Sequence, residues 1–315
     1  MSAPLRPSIS VVIETVNEEN GPRTGLREVL AGLAKQTYPQ ERLEILVAVG
    51  RENHALRDEL REQHPGVRIA DAELATYFGM KTAGIDQATG DVIALLDSDT
   101  VPVPLWAEKI ASCIEAGADV VAGKTRYAAG APFSGTFNFF NFGYIQGDAD
   151  GRANGFLPNN VAFRRQVILE HGFDPRIVRS GAGHLLGQQL NARGYRLVYE
   201  PAARVCHNMY GVAEELRMRV KSGYDCVYLS TLDAEQVLSE SAYLQRGGGF
   251  GLLIVCARRI VFDVRTTIRK RRDLDIPLLQ IPYFLLISPL IRGLELVAGL
   301  ITVVKPEYFK EKYDW

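Results

Sequence analysis

The chain of 315 residues is 47% apolar and 23% charged, with 29 Gly and 15 Pro, which supplies a sizeable core and excludes collagen, low-complexity linker and intrinsic disorder. Its formal charge of −1 gives no global sign of a nucleic-acid binder. Cys113, Cys206, Cys226 and Cys256 never come closer than 20 residues, so no zinc spacing exists and free thiols in a reducing compartment are expected.

Met1 to Pro7 is polar, and no secretory signal is expected there. Ser8–Ile13 reads as a short β-branched strand. Leu26, Val29, Leu30 and Leu33 follow at i, i+3, i+4 and i+7, the spacing of an amphipathic helix that stops before Tyr38-Pro39. Leu43–Val49 reads as a buried strand, His54–Gln63 as a charged helix, Val67–Ala70 as a weaker strand and Tyr77–Gln87 as a helix. Asp91–Leu96 is then a fourth strand that runs into Asp97-Ser98-Asp99. Strands alternating with helices of this length imply right-handed crossovers and a mainly parallel sheet.

The second half is less regular. Trp106–Glu115 reads as a helix and Asp119–Tyr127 as a strand. An aromatic-rich stretch, Phe133–Tyr144, precedes a polar loop at Gly147–Gly155. Short helices at Arg164–His171 and Leu185–Arg193 and a strand at Arg196–Glu200 complete the pattern. No repeat or linker divides the first 230 residues.

Ligands of open α/β sheets bind beyond the carboxyl ends of the strands, where Asp97 and Asp99 fall. Two carboxylates two apart at such an end can meet one hard cation, and Mg²⁺ or Mn²⁺ uses oxygen ligands of this kind to bridge a diphosphate. An isolated DxD is more often a pair of solvated loop acids, and the strand placement is what raises this one. His207 follows the Leu197–Cys206 segment; it either completes a metal shell or steadies a diphosphate, or is a half-buried structural imidazole. Lys81 stands near the start of a helix, where a cation and free N–H groups suit a phosphate, although a solvated lysine is the commoner case.

In order and spacing, these features resemble family 2 glycosyltransferases of the GT-A fold over about residues 8–230. The stretches that carry the resemblance are Ile9-Ser10-Val11-Val12-Ile13 with Asn17-Glu18-Glu19, Gln36-Thr37-Tyr38-Pro39 before Leu43-Glu44-Ile45, and Gly90-Asp91-Val92-Ile93 leading to Asp97-Ser98-Asp99. Pro104-Leu105-Trp106, Gly123, Asn160 to Arg165, Gly172-Phe173-Asp174, and Gly194-Tyr195 to Pro201 and His207 follow in the family's order. The resemblance implies an α/β fold, a Rossmann-like, mainly parallel mixed sheet flanked by helices. It also implies a nucleotide-diphosphate sugar as donor and a divalent cation, Mn²⁺ or Mg²⁺, as cofactor. Thr15, Asn17, Glu19, Lys81, Asp97 and Ser98 would line the nucleotide-sugar pocket, and Asp97, Asp99 and His207 would hold the metal. Asn160, Arg164 and Arg165 would flank the donor sugar and acceptor. A UDP-sugar is the donor expected first.

Three positions depart from the family. Glu14-Thr15-Val16-Asn17 replaces the usual Pro-Thr-Tyr-Asn, and Val49-Gly50-Arg51-Glu52 lacks the Asp that reads uracil after strand two. The Glu-Asp pair that supplies a general base is replaced by Ala182-Gly183, and no Asp or Glu occurs between Asp174 and Glu200. Transfer with inversion needs a proton acceptor within about 3 Å of the incoming hydroxyl. Three readings remain open. His184 acts as the base, the acceptor is a phosphate that needs none, or the protein is catalytically impaired and binds nucleotide sugar as a scaffold or sensor.

Charge is uneven along the chain. Residues 1–245 carry −6, residues 246–272 carry +7 and residues 273–315 carry −2. Leu253, Ala257, Ile260, Val261, Val264 and Ile268 form an apolar stripe among the arginines, as in a helix lying on an anionic leaflet. Ile276–Ile291 is free of charge but contains Pro277, Pro282 and Pro289, and Arg292 and Glu295 interrupt before Leu296–Val304. A span wants about 20 apolar residues, so two short helices dipping into one leaflet are expected rather than a crossing, with a helical pair packed on the catalytic domain as the alternative.

The expectation is therefore a catalytic domain over 1–230, with a nucleotide-sugar half to about residue 128 and an acceptor half over 129–230. A basic and apolar helical region over 231–315 would attach it to an anionic membrane surface. The enzyme would sit on the cytoplasmic face and transfer a sugar, with inversion, to a lipid-linked or cell-surface glycan.

Overall fold

The computed structural model describes residues 6–16, 25–128, 134–177, 181–274 and 276–313. Its strands are β1 (Ile9–Glu14), β2 (Leu43–Gly50), β3 (Arg68–Ala72), β4 (Val92–Asp97), β5 (Thr100–Pro102), β6 (Val120–Tyr127), β7 (Asn160–Arg164) and β8 (Leu197–His207). The α-helices in the first half are α1 (Leu26–Ala34), α2 (His54–Gln63), α3 (Tyr77–Gln87), α4 (Trp106–Glu115) and α5 (Ser134–Phe142). Then come α6 (Arg165–His171), α7 (Ala182–Ala192), α8 (Val212–Leu232), α9 (Ser241–Arg269), α10 (Ile281–Val304) and α11 (Tyr308–Tyr313). The chain divides into two compact units, one of residues up to Ala128 with Ile145–Asn208, the other of α5 with everything from Met209 onward.

The first unit is one sheet of order β3-β2-β1-β4-β7-β6-β8-β5 with helices around it. β3, β2, β1 and β4 run parallel. β7 enters antiparallel between β4 and β6, and β6 pairs parallel with β8. β1 and β4 are buried along their whole length, as expected of central strands covered on both faces, and this explains why they read as continuous apolar runs instead of alternating ones. Leu26, Val29, Leu30 and Leu33 bury the predicted face of α1 against that sheet.

Two features have no signal in the sequence. Only Ser98 and Asp99 separate β4 from β5, yet β5 closes the opposite end of the strand order by pairing antiparallel with β8, Thr100 opposite His207. The sheet therefore curls, so that its last edge returns to the carboxyl end of β4. For the same reason β8 runs to His207 instead of stopping at Glu200: its second half has β5 on one side and β6 on the other.

The second unit is helical. α10 packs on both α8 and α9, and Phe137, Phe139 and Phe140 of α5 are buried, Phe139 meeting Phe284 edge to face at 5.6 Å between centroids. The expected pair of short apolar helices is a single 24-residue helix, α10, that continues through Pro289, Arg292 and Glu295. Arg292 and Glu295 do not break it because they point inward. Glu295 is bonded to Arg292 at 2.8 and 2.9 Å, to Arg259 at 3.0 Å and to Arg219 at 3.4 Å, while Arg292 reaches Asp263 at 2.8 and 2.9 Å. Charges that look like interruptions in one dimension are internal struts between three helices.

Candidate functional site

The site starts from the turn Asp97-Ser98-Asp99 between β4 and β5. Thr100 locks it locally: its hydroxyl accepts from Asp97 N and donates to Asp97 O, both at 2.9 Å. Gly25 makes room for it from outside, since a Cβ there would collide with the Ser98 carbonyl and lie 3.0 Å from Asp99 Cα. Because β5 is zipped to β8, Asn208 N donates to Asp99 O at 3.2 Å and His207 is brought beside Asp99, Nε2 to Oδ1 at 3.6 Å.

One ligand atom each from Asp97, Asp99 and His207 lies within 4.8 Å of the others. The ring nitrogens of His207 are differentiated. Nδ1 lies 2.6 Å from the Asn208 carbonyl, which can only accept, so Nδ1 carries hydrogen and Nε2 is the nitrogen available to a metal. Tyr127 supports the ring edge-on at 5.5 Å. Ser98 Oγ is buried with no hydrogen-bond partner among the described residues. Two buried carboxylates and a half-buried imidazole fit a divalent cation such as Mn²⁺ or Mg²⁺, which prefers oxygen ligands and accepts nitrogen.

Below this cluster, α3 turns Tyr77, Lys81 and Gly84 toward the sheet at i, i+4 and i+7. Thr76 caps the helix by accepting from Gly79 N at 3.1 Å. Gly84 has no Cβ, which lets the helix rest directly on Val12, and Lys81 then reaches Asp97 Oδ1 at 2.7 Å and the Leu96 carbonyl at 3.0 Å. Tyr77 donates its hydroxyl to the same Oδ1 at 2.8 Å; burial, then the Asp97 charge, push its phenol well above the ordinary range. Lys81 has no exposed surface. The cation expected to meet a phosphate is instead an internal partner of Asp97.

Glu14 occupies the end of β1, in register with Asp97. It is fully buried, and its Oε2 accepts from Val16 N at 2.7 Å. Burial and the neighbouring Asp97 charge push its carboxyl up to about 8. Sequence reasoning misses both Glu14 and Tyr77; the sole signal is that Glu14 stands in place of the family's usual Pro.

The remaining candidates divide. Thr15 is buried and gives its hydroxyl to Ala48 O at 2.8 Å, a tie to β2 that uses its one donor. Asn17 and Glu19 lie outside the described residues. Asn160, in register with Leu96, is near the site, but its amide is spent on holding Trp106 Nε1 at 2.9 Å and Ala203 O at 3.0 Å. Arg164 pairs with Val92 at the opposite end of β4. Its guanidinium binds the Ala118 and Ile114 carbonyls at the end of α4, and Arg165 binds Ala88 O at 3.3 Å. Five residues of antiparallel strand separate these arginines from the carboxyl end of β4, so the structure removes them from the donor site. His184 is exposed on the first turn of α7.

A parallel four-stranded core continued by antiparallel strands, with a DxD at the end of β4, defines the GT-A class of nucleotide-sugar transferases. A mannosyltransferase, PcManGT from Pyrobaculum calidifontis in complex with GDP-Man and Mn²⁺, shares the fold with a TM-score of 0.66 at 16% identity, over 96% of this chain and 88% of that one. The model of glycosyl transferase family 2 matches residues 10–173, and the chain belongs to that family: it is a glycosyltransferase. Among curated relatives, the glycosyltransferase AglE of Haloferax volcanii is 24% identical over 72% of this chain and 75% of its own length. A glucosyl-dolichyl phosphate glucuronosyltransferase of the same organism is 26% identical over 75% of this chain and 82% of its own.

Proposed function

We propose that the protein is a metal-dependent glycosyltransferase that moves a sugar, with inversion, from a nucleotide-diphosphate donor to a lipid-linked acceptor at a membrane. The observation that carries this is the convergence of Asp97, Asp99 and His207 at the open end of β4. These three would hold the divalent cation, with Asp97 fixed by Lys81 and Tyr77 and His207 fixed by Asn208. Once bound, such an ion acts as a Lewis acid toward the negative charge that builds on the departing diphosphate. The Ser98 hydroxyl, between the two carboxylates, has an open donor to offer the ribose or a phosphate oxygen.

His184 is the residue assigned to accept the proton of the incoming hydroxyl, because the stretch from 175 to 199 contains no carboxylate and a neutral imidazole serves as a base near neutral pH. That same absence favours a second reading, a scaffold that binds nucleotide sugar without transferring it. Both named relatives from Haloferax volcanii are glycosyltransferases, and one carries a dolichyl phosphate in its name, which supports a lipid-linked acceptor.

Membrane association is supported by α10. Its buried side reads Phe284, Ser288, Ile291, Glu295, Ala298 and Thr302, while Leu286, Leu290, Val297, Leu300 and Val304 face outward and are exposed. A mixed inner face that holds the polar residues and an exposed face that is apolar are unlike a water-facing helix. Within Leu278–Val304, a segment of a length that could cross a bilayer, an 18-residue window reaches a mean hydropathy of 1.9. Arg258, Arg265, Arg269 and Arg272 are exposed along and just beyond α9, and such charges complement anionic headgroups. We assign α10 to the plane of one leaflet, its partners α8 and α9 being too charged to follow it inward.

A panel of UDP- and GDP-sugars screened by thermal shift with Mn²⁺ tests the donor reading. The wild type should be stabilised by one of them, and Asp99→Ala should abolish the shift. A shift of equal size in Asp99→Ala would refute the site. Turnover in a His184→Ala variant equal to wild type would remove His184 as base.

A further inference from the structure

Asp97 differs from Asp99 in one respect that bears on how the cation arrives. Oδ1 of Asp97 receives both the Lys81 ammonium at 2.7 Å and the Tyr77 hydroxyl at 2.8 Å. The ammonium is anchored on its other side by the Leu96 carbonyl at 3.0 Å and stands over the Tyr77 ring at 4.7 Å. Lys81 has no exposed surface. A cation buried this completely is held by its pairing, so its charge is committed to Asp97. Two donors on one oxygen also fix the rotation of the carboxylate and leave Oδ2 clear of both.

We propose that Tyr77 and Lys81 are positioning residues, Tyr77 fixing the Asp97 carboxylate and Lys81 cancelling its charge in advance, so that the site takes up a divalent cation together with the donor's diphosphate and holds the bare ion only weakly. This rests on the metal-dependent reading above. With Lys81 balancing Asp97, the two carboxylates and the lysine together present a cation with about one negative charge, that of Asp99. Affinity for hard divalent ions rises with the number of charged oxygens in the shell, and a nucleotide diphosphate brings several. The protein then provides geometry and one net charge, and the donor provides the rest. A site so arranged does not fill with free Mg²⁺ or Mn²⁺ before the donor is present.

Mn²⁺ binding to the purified full chain, read by electron paramagnetic resonance without and with saturating UDP or GDP, tests this directly. In the wild type, one of the two nucleotides should tighten Mn²⁺ binding by roughly a hundredfold, within the range that ligand charge sets for such ions. Lys81→Met removes the compensating charge and should tighten the binding of Mn²⁺ alone by about tenfold or more. A merely structural lysine could not produce that gain, since its loss would only weaken the site. Lys81→Gln keeps a donor on Asp97 and should shift bare Mn²⁺ in the same direction, should the methionine variant fail to fold. Tyr77→Phe removes no charge; it should leave bare Mn²⁺ within about twofold of wild type and weaken only the complex with nucleotide.

Bare Mn²⁺ held by wild type as tightly as with nucleotide, or held more weakly by both Lys81 variants, overturns the proposal and leaves the metal-dependent reading intact. No Mn²⁺ uptake under any condition removes that reading itself, and this one with it.

Discussion

Gly84→Ala is the substitution in which local propensity and tertiary packing disagree most clearly. Gly84 lies inside α3, and replacing a helical glycine by alanine gains about 1 kcal/mol where space allows. Here there is none: a Cβ would sit closer than 3.0 Å to Val12 Cγ1 and 3.2 and 3.3 Å from Cγ2 and Cβ, against about 3.5–4.0 Å for relaxed carbon contacts. Val12 is fully buried on β1, with β2 and β4 bonded on either side, and its branched side chain has little rotamer freedom. The helix must therefore lift by at least about half an ångström, at a cost of about 1–3 kcal/mol. Net destabilisation of about 1–2 kcal/mol follows once the propensity gain is subtracted. Lys81 and Tyr77 lift with the helix, so their 2.7 and 2.8 Å bonds to Asp97 stretch toward the limit for hydrogen bonds. Urea titration and Mn²⁺–nucleotide binding should both register the change. Gly293→Ala is the control: Gly293 also lies inside a helix, α10, but nothing stands within 4 Å of the place its Cβ would take, and the same substitution should be neutral or stabilising by up to about 1 kcal/mol. A Gly84→Ala protein as stable as wild type and unchanged in Mn²⁺–nucleotide binding would refute the packing argument.

Glu14 predicts a pH slope. Its carboxyl is raised from 4.5 to about 8 by burial, so the folded state retains a proton that the unfolded state loses. The stability associated with that proton is full below about pH 4.5 and is lost as the pH rises through about 8. In thermal melts from pH 5 to 9, Glu14→Gln should gain on wild type steadily with rising pH; a constant difference would mean that Glu14 is ionised in the fold. For the membrane face, Leu286→Glu with Leu290→Glu should abolish co-sedimentation with anionic phosphatidylserine vesicles while leaving the melt of the sheet unit unchanged. Unaltered binding would show that lipid meets another surface. Within the helical unit, Glu295→Gln withdraws a charge from three guanidiniums and should cost about 3–5 kcal/mol. Pairing it with Arg219→Met should recover part of that loss, because Arg259 and Arg292 retain Glu240 and Asp263; a purely additive double mutant would deny the coupling.

The sequence is most legible where one residue's environment is set by its own strand or helix. β1, β2 and β4 are apolar runs of strand length, α1 has a clear four-residue stripe, and the DxD follows a strand by direct adjacency. What cannot be read depends on contacts between distant segments. His207 is reachable as a metal ligand through the family resemblance alone, because the pairing of β5 and β8 that brings it to Asp99 spans about a hundred residues and leaves no periodic trace in a three-residue strand. Arg164 and Arg165 fall away from the site for a related reason. A resemblance fixes the position of a segment along the chain, whereas β7 runs antiparallel to β4 and carries its last residues away from the site that its first residue, Asn160, adjoins. Lys81 stands out in the sequence, but the burial that turns it from a phosphate contact into a partner of Asp97 exists only once α3 rests on Val12.

Helix α10 shows the same limit from the opposite direction. Hydropathy weighs each residue without regard to direction, so Arg292 and Glu295 count as breaks in an apolar run. In the fold they lie on the one face of α10 that meets other helices, where their charges are matched by Arg219, Arg259 and Asp263. The apolar residues that make the run look like a span are the ones left facing outward. Burial of matched charges is weak evidence of stability by itself, because well-packed apolar residues do as well or better in water. Its value here is positional. An outer surface made of Leu286, Leu290, Val297 and Leu300 cannot also face water cheaply, and a helix that keeps its polar residues for its protein neighbours is suited to a solvent that offers no hydrogen bonds.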